Sequence, residues 1–239
     1  MIQSIIEQAS HNAKTQFNVL DHIAGNIGNM STNGYKAKRF EQYLGPSGVL
    51  MGVTRIDTTQ GALMQTNRAL DIAIEGRGYL PVTQADGQTA YTRDGRLAIN
   101  AQGYLVTAYG DVVGEGIQIP TDYERLYIQK DGTVEVLKKA ASTREKIGQI
   151  RLVTFENPEG LEKAANNKLV PTADSGAAKI AAANDTAAGE IHQQKLEQSN
   201  VQPFDQIGQT LRLNASVISN LRIIKFSDDI YRQAVNLKQ

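Results

Sequence analysis

The chain has 239 residues, enough for one large domain or two modest ones, and 41% of them are hydrophobic. It carries 25 basic and 25 acidic residues, so the formal net charge is zero. Nucleic acids and anionic membranes bind clustered basic residues, and this composition has no basic excess to offer them. The chain contains no cysteine, which excludes disulfides and thiolate metal sites.

The N-terminal 30 residues lack the unbroken apolar stretch of a secretory signal peptide, because Glu7, His11, Lys14 and Asp21 interrupt it. No stretch of the sequence approaches the roughly 20 apolar residues that a membrane-spanning helix needs. The sequence therefore predicts no cleaved leader and no membrane insertion. If the protein leaves the cytoplasm, we expect a route that does not cleave an N-terminal signal.

Residues 1–34 predict a helix with apolar side chains at heptad spacing, ending where Asn33 and Gly34 accept positive φ. Gly25 and Gly28 lie inside this helix, where each costs about 0.5–1 kcal/mol relative to alanine. Either another backbone packs closely there, or this end becomes stably helical only when a neighbour covers it. One heptad position holds Ile6, Ala13, Leu20 and Ile27, and the other holds Ile2, Ala9, Ile23 and Met30, with Gln16 as the exception.

A second heptad pattern predicts a C-terminal helix that begins at Pro203, a residue suited to the first helical position. Helices with apolar seams bury them against each other. We therefore expect the two termini to pair as a coiled-coil layer. The C-terminal seam holds Phe204, Ile207, Leu211, Ile218 and Leu221, then slips in phase to Ile223, Ile230, Ala234 and Leu237.

The middle of the chain predicts antiparallel β-structure. Residues 35–69 look irregular, with a turn at 45–48 and an alternating pattern at 53–58 that could form a strand. Residues 70–199 hold short strands separated by Asp-Gly turns. The strongest single strand pattern is 149–155, and residues 173–189 form an Ala/Gly-rich loop. The predicted class is α+β. A helical domain of 1–34 with 200–239 is joined through 35–69 to an antiparallel β-sandwich or barrel-like domain of 70–199.

No catalytic or metal-binding constellation emerges from the sequence. His11 and His22 fall on one helix face but lie roughly 16 Å apart along its axis, too far to share an ion, and His192 stands alone. No base, nucleophile and orienting group can be assigned together. We therefore predict a protein that is not an enzyme and holds no cofactor.

Several segments carry recognisable motifs. Residues 20–36 read LDHIAGNIGNMSTNGYK, a helix pattern with spaced asparagines that ends in Thr-x-Gly-aromatic-Lys. In their order these motifs are similar to those of the bacterial flagellar rod and hook proteins, and the resemblance covers nearly the whole chain. The further motifs are Leu70–Tyr79, Tyr91–Gly95, Gly103–Val106, Gly148–Leu152, Phe155–Leu161, Thr172–Gly176 and Leu196–Val201.

The resemblance implies a structural subunit of the flagellar basal-body rod. Such subunits pack in a helical axial assembly that transmits torque and encloses the export channel. The implied partners are other copies of this chain, other rod proteins and the type III export apparatus, and the implied location is the basal body, reached without a cleaved signal. The expected subunit-packing residues are Ile6, Ala13, Leu20, Ile23, Ile27, Asn29, Phe204, Ile207, Leu211, Ile218, Leu221 and Ile230.

Within that family, the short interval between Lys36 and Val53 and the segment 111–115 (DVVGE) resemble the proximal rod type (FlgF-like) more than the distal rod type (FlgG-like). A distal rod or hook-type subunit is the alternative within the family. From a different class, the β-region alone could be a binding module that the helices serve only to oligomerise. Such a module would keep its ligand affinity after both termini were removed, whereas a rod subunit would lose assembly.

Overall fold

The computed structural model describes residues 2–45, 50–139, 143–181 and 188–236. The chain divides into two compact units. Unit 1 comprises residues 1–30, 38–55 and 201–239, and unit 2 comprises residues 31–37 and 56–200. Neither helix of the described residues is both long and apolar enough to span a membrane.

Unit 1 contains two long helices, α1 (Ile2–Gly28) and α2 (Pro203–Asn236). Helix α2 begins at Pro203 as predicted, and α1 ends a few residues before the predicted 31–34 stop. Gln16 contacts Ser216, and Asn26 contacts Gln206. Residue numbers therefore increase by ten along α1 while they decrease by ten along α2. The two helices therefore pack antiparallel.

Unit 1 also contains a β-hairpin of β1 (Lys38–Leu44) and β2 (Leu50–Ile56), which form a two-stranded sheet. The sequence pattern therefore missed strand β1, whereas the strand suggested at 53–58 overlaps β2. Cross-strand contacts stabilise the hairpin, since Arg55 Nε lies 3.2 Å from Glu41 Oε2. These contacts do not follow from hydrophobic alternation, which is why the pattern missed strand β1. Residues 46–49, which cover most of the predicted turn, lie outside the described residues.

Unit 2 holds the remaining strands and a short 3-10 helix, Pro158–Gly160. The coarse α+β prediction is confirmed by two terminal helices and an antiparallel β-region, and the sandwich or barrel-like form stays a prediction. In chain order the strands are β3 (Leu63–Gln65), β4 (Ile72–Glu75), β5 (Leu80–Thr83), β6 (Thr89–Thr92), β7 (Leu97–Ile99), β8 (Leu105–Thr107), β9 (Val112–Val113), β10 (Tyr123–Ile128), β11 (Thr133–Lys138), β12 (Arg144–Gln149), β13 (Val153–Thr154), β14 (Glu162–Ala164), β15 (Lys168–Val170), β16 (Lys179–Ile180), β17 (Glu190–Gln193) and β18 (Lys195–Glu197).

The strands of unit 2 pair in several sheets. The largest has seven strands in the order β14-β15-β6-β5-β9-β8-β7, and β10-β11-β12 form a three-stranded sheet. Three further pairs are β13 with β16, β17 with β4, and β18 with β3. The last two pairs bring the end of the β-region back to its beginning, so unit 2 is closed by long-range contacts.

Two apolar clusters fill unit 2. The larger includes Ile72, Leu80, Leu105 and Val134, all almost completely buried. In the smaller, the Phe155 ring packs edge-on against the rings of Tyr79 and Tyr91, at centroid distances of 5.7 and 4.9 Å.

Two segments of unit 2 depart from the predicted pattern. The strand predicted at 149–155 is interrupted, because β12 ends at Gln149 and β13 begins at Val153. Between these strands the Ile150 amide donates to Gly132 O (2.8 Å). In the predicted loop 173–189, strand β16 forms at Lys179–Ile180, and residues 182–187 lie outside the described residues.

Candidate assembly surface

The faces that α1 and α2 turn toward each other follow a heptad spacing. On α1 the buried side chains include Ala9, Gln16 and Ile23, each seven residues from the next. On α2 the buried positions are Gln206, Leu213 and Ser227, again at multiples of seven. We call these six residues, together with the buried Asn26, the inner seam. It is largely polar, unlike the seam that the sequence pattern predicted.

Side-chain amides make the contacts of the inner seam. Gln16 Nε2 donates to Ser216 Oγ (2.5 Å), and Asn26 Nδ2 donates to Gln206 Oε1 (3.2 Å). Asn26 also reaches the start of the hairpin, where its Oδ1 accepts from the Lys38 amide (2.8 Å) and its Nδ2 donates to Lys38 O (2.9 Å). The buried Ser227 hydroxyl donates to Ile223 O (2.9 Å) in its own helix.

The predicted packing residues lie mostly outside this seam. Ile23 is buried in it, Ala13 and Asn29 are half-buried, and the side chain of Ile6 lies outside the described residues. The expectation that the apolar residues are buried between the chain's own helices is therefore wrong for most of them. The exposed members are Leu20, Ile27, Phe204, Ile207, Leu211, Ile218, Leu221 and Ile230.

We call the exposed apolar residues of the two helices the outer face. At about 100° per residue, the α2 residues from Phe204 to Leu221 lie roughly 60–160° around the helix axis to one side of Gln206, and those from Ile223 to Ile230 lie roughly 100–160° to the other side. Phe204 is 87% exposed, an unusual state for an aromatic side chain. The packing residues predicted from sequence omitted Phe17 and Phe226, both about two-thirds exposed, although exposed aromatic residues are a recognisable signal. The outer face comprises Phe17, Leu20, Ile27, Phe204, Ile207, Leu211, Ile218, Leu221, Ile223, Phe226 and Ile230.

Gly25 and Gly28 lie in the last turn of α1, where the Gly25 carbonyl accepts from Asn29 Nδ2 (2.8 Å). A Cβ built on Gly25 or Gly28 would meet nothing within 4 Å among the described residues. Close packing of another backbone within this chain therefore does not explain either glycine. The second explanation, that a neighbouring subunit covers this end, stays a prediction.

The hairpin of unit 1 adds further exposed apolar residues. His22 of α1 lies against it, with Nε2 2.9 Å from Thr54 Oγ1 and its ring 5.5 Å from the ring of Phe40. His22 therefore contacts the hairpin, and a metal ion is not needed to explain its position. The exposed hairpin side chains are Tyr43, Met51 and Val53.

In unit 2, the motifs at 32–36 and 196–201 meet in a buried charged cluster. The Glu197 carboxylate is fully buried and accepts from Lys36 Nζ (2.6 Å), Arg93 Nη1 (3.2 Å) and the Gly61 amide (2.9 Å). Burial lowers the pKa of the Lys36 ammonium, and the Glu197 carboxylate opposes that shift. Asn200 binds the same segments, since its Oδ1 accepts from the Ala37 amide (2.7 Å). We call Lys36, Arg93 and Glu197 the Glu197 cluster.

The described residues contain no group of three or more acidic or histidine side chains that could hold a metal ion. His192 lies beside a carboxylate, with Nε2 2.7 Å from Glu75 Oε2. Buried charged side chains described in unit 2 pair with one another, as in the contact of Lys168 with Asp111 (3.1 Å). The features that stand out functionally are therefore the exposed apolar surfaces of unit 1.

Known proteins match the chain over its whole length. The family model described as "Flagellar hook protein FlgE/F/G D1 domain" matches residues 73–136. The flagellar basal-body rod protein FlgG of Caulobacter vibrioides is 34% identical over 263 aligned positions, which cover 99% of this chain and 100% of the relative. FlgG of Bacillus subtilis is 34% identical, covering 92% and 93%. FlgF of Caulobacter vibrioides is 31% identical and covers 90% of each chain.

Within one organism, the match to FlgG is thus stronger than the match to FlgF. This reverses the predicted order of the proximal and distal rod types. That prediction relied on the short interval before Val53 and on the segment 111–115. The aligned length of 263 exceeds the 239 residues of this chain, so a FlgG relative carries residues that this chain lacks. Segment length was therefore a poor guide. The chain belongs to the flagellar basal-body rod protein family.

Proposed function

We propose that this chain is a structural, non-enzymatic subunit of the bacterial flagellar basal-body rod, of the FlgG-like distal type. The observation that carries the proposal is the outer face of unit 1. Two terminal helices expose apolar side chains at heptad spacing and turn a mostly polar seam inward. An isolated globular protein gains nothing from such an arrangement, whereas a subunit that must bind its neighbours does.

The outer face supplies the driving force for assembly in this proposal. Fully burying one Leu, Ile or Phe side chain contributes about 1.5–3 kcal/mol, so a few of them outweigh the cost of joining a subunit. Copies related by a rotation and a rise that do not close build a filament. Such a filament carries torque through many repeated contacts and leaves an axial channel for export.

The remaining expectations belong to the same proposal. The partners are other copies of this chain, other rod proteins and the export apparatus, and the location is the basal body. Export would proceed without a cleaved signal. The subunit-packing residues would be the twelve predicted from sequence, extended by Phe17 and Phe226, which are exposed on the same helices.

The test places a charge on the outer face. Leu20→Asp and Ile218→Asp alter side chains that are about half exposed in the single chain, so the purified variants should fold and melt like the wild type. In a strain that lacks its own copy of the gene, each variant should fail to restore swimming, because a buried unpaired carboxylate is costly in the assembly. Leu20→Met and Ile218→Met are the controls and should restore it. Swimming of the aspartate variants would refute the proposal.

A further inference from the structure

The polar contacts of the inner seam occur at two points along the helix pair. One contact joins Gln16 to Ser216, and the other joins Asn26 to Gln206. The two contacts are ten residues apart on each helix. Both contacts are compatible with only one antiparallel register. Gln16 and Asn26 are 2% exposed and Gln206 is 5% exposed, so these amides are buried in unit 1, whereas Ser216 lies on an exposed part of α2.

A helix pair selected only for stability would bury its apolar side chains and expose its polar ones. Most large apolar side chains of α2 instead lie on the outer face, while its inner seam contains Gln206 and Ser227 beside Leu213. Among the described residues, Gln16 Oε1 is buried without a hydrogen-bond partner. Buried amides with unused capacity cost stability, so the inner seam has another role.

Apolar heptad seams permit slippage, because a shift of seven residues replaces one apolar layer with another. Buried amides do not permit it, because each amide loses its partner when the helices slide. We propose that Gln16–Ser216 and Asn26–Gln206 are a register lock, which fixes how α1 and α2 of one chain are aligned. Gln16, Asn26, Ser216 and Gln206 are thus positioning residues.

Asn26 extends the lock to the hairpin. Its side chain binds both the amide and the carbonyl of Lys38, the first residue of β1, while it also donates to Gln206. One side chain therefore aligns three elements of unit 1, namely α1, β1 and α2. A slip of α2 would separate Gln206 from this junction.

The lock also keeps the outer face available. Without polar partners inside, α1 and α2 of one chain would gain more by pairing through their apolar outer sides. Such a pairing would hide Phe17, Leu20 and Phe204 from neighbouring subunits. This consequence rests on the proposed rod function, whereas the register itself does not, so the two can fail independently.

The test uses the absence of cysteine from the chain. Two full-length double-cysteine proteins are prepared. Gln16→Cys with Ser216→Cys reports the observed register, and Gln16→Cys with Ile223→Cys reports a slip of seven residues. Both lack the Gln16 contact, so Asn26–Gln206 alone specifies the register. Gln206→Leu is then added to each, and disulfides formed under mild oxidation are measured by mass spectrometry.

We expect the 16–216 disulfide alone while Gln206 is present, and a comparable yield of the 16–223 disulfide once Gln206 is leucine. The melting temperature should stay the same or rise, because an apolar residue joins the seam. Gln209→Leu, on the exposed side of α2, is the matched control and should leave the 16–216 disulfide exclusive.

The result that would overturn the lock is an exclusive 16–216 disulfide in the Gln206→Leu protein, even if its melting temperature falls. That outcome would mean that Gln206 only fills space. Failure of the 16–216 disulfide to form while Gln206 is present would equally overturn the proposal. Neither readout depends on assembly or swimming.

Discussion

Lys36 Nζ lies 2.6 Å from Glu197 Oε1, and this buried ion pair joins residues that are 161 positions apart. The same carboxylate also binds Arg93, so one buried negative charge stabilises two buried positive charges. Lys36 is the last residue of the first family motif, and Glu197 belongs to the last motif. The two motifs therefore meet at one buried carboxylate of unit 2.

Glu197→Gln should strongly destabilise unit 2. The substitution leaves Lys36 and Arg93 buried beside each other without a counter-charge, and breaking a buried ion pair in this way costs about 3–5 kcal/mol. Urea unfolding of the purified protein, followed by circular dichroism, measures the loss. Glu190→Gln is the control, because Glu190 is exposed and water screens its pairing with Lys130. Equal stability of both variants would contradict a structural role of the Glu197 cluster.

Unit 2 should lose stability at alkaline pH through its buried tyrosines. Burial raises the pKa of Tyr79 above its ordinary value of 10.0. Between pH 10 and that raised pKa, the unfolded chain releases the phenol proton and the folded chain keeps it. The free energy of unfolding therefore falls by about 1.4 kcal/mol per pH unit for this group. The pKa of Lys36 is lowered in the folded chain, so its contribution to the free energy of unfolding changes with pH in the opposite direction.

Tyr79→Phe should remove that part of the pH dependence, measured by urea unfolding between about pH 9 and 11. Tyr109→Phe serves as the control because Tyr109 is half exposed. The chain has no tryptophan, so phenolate absorbance follows the tyrosines directly. If the free energy of unfolding of Tyr79→Phe falls with pH as steeply as that of the wild type, other groups govern alkaline unfolding.

Gly25→Ala should stabilise the isolated chain while impairing assembly. A methyl group at Gly25 meets nothing within 4 Å among the described residues, and alanine is favoured over glycine in a helix by about 0.5–1 kcal/mol. If a neighbouring subunit packs on this glycine, the methyl group will hinder it. Helix content and swimming are the two measurements. Higher helix content with normal swimming would contradict neighbour packing at Gly25.

The hairpin of unit 1 should influence which neighbour is accepted. Tyr43, Met51 and Val53 are exposed, so they are not used to pack the hairpin within the single chain. Transplanting residues 40–53 into an FlgF-type relative should give that protein new crosslinks to the neighbours of this chain. The matched control transplants the same segment with Met51→Lys and Val53→Lys. If crosslinks are unchanged by the transplant, the hairpin does not select neighbours.

Features that depend on local chemistry could be predicted from the amino-acid sequence. Pro203 begins α2 as predicted, because its fixed φ and missing amide suit the first helical turn. The Asp-Gly turns at Gly87 and Gly132 have positive φ, which glycine alone adopts freely. The family motifs identified the rod and hook proteins, since many weak motifs in the same order are specific together.

The use of the helical faces depends on long-range contacts that the sequence pattern does not reveal. Heptad spacing predicts that apolar side chains are buried, but it does not say whether the partner is the same chain or another one. Here the amides of Gln16, Asn26 and Gln206 align the helices, and the apolar residues face outward. The Glu197 cluster could not be predicted from the sequence either. Lys36, Arg93 and Glu197 are distant in sequence, and each alone looks like a surface charge. Their pairing depends on long-range contacts, which local patterns do not encode.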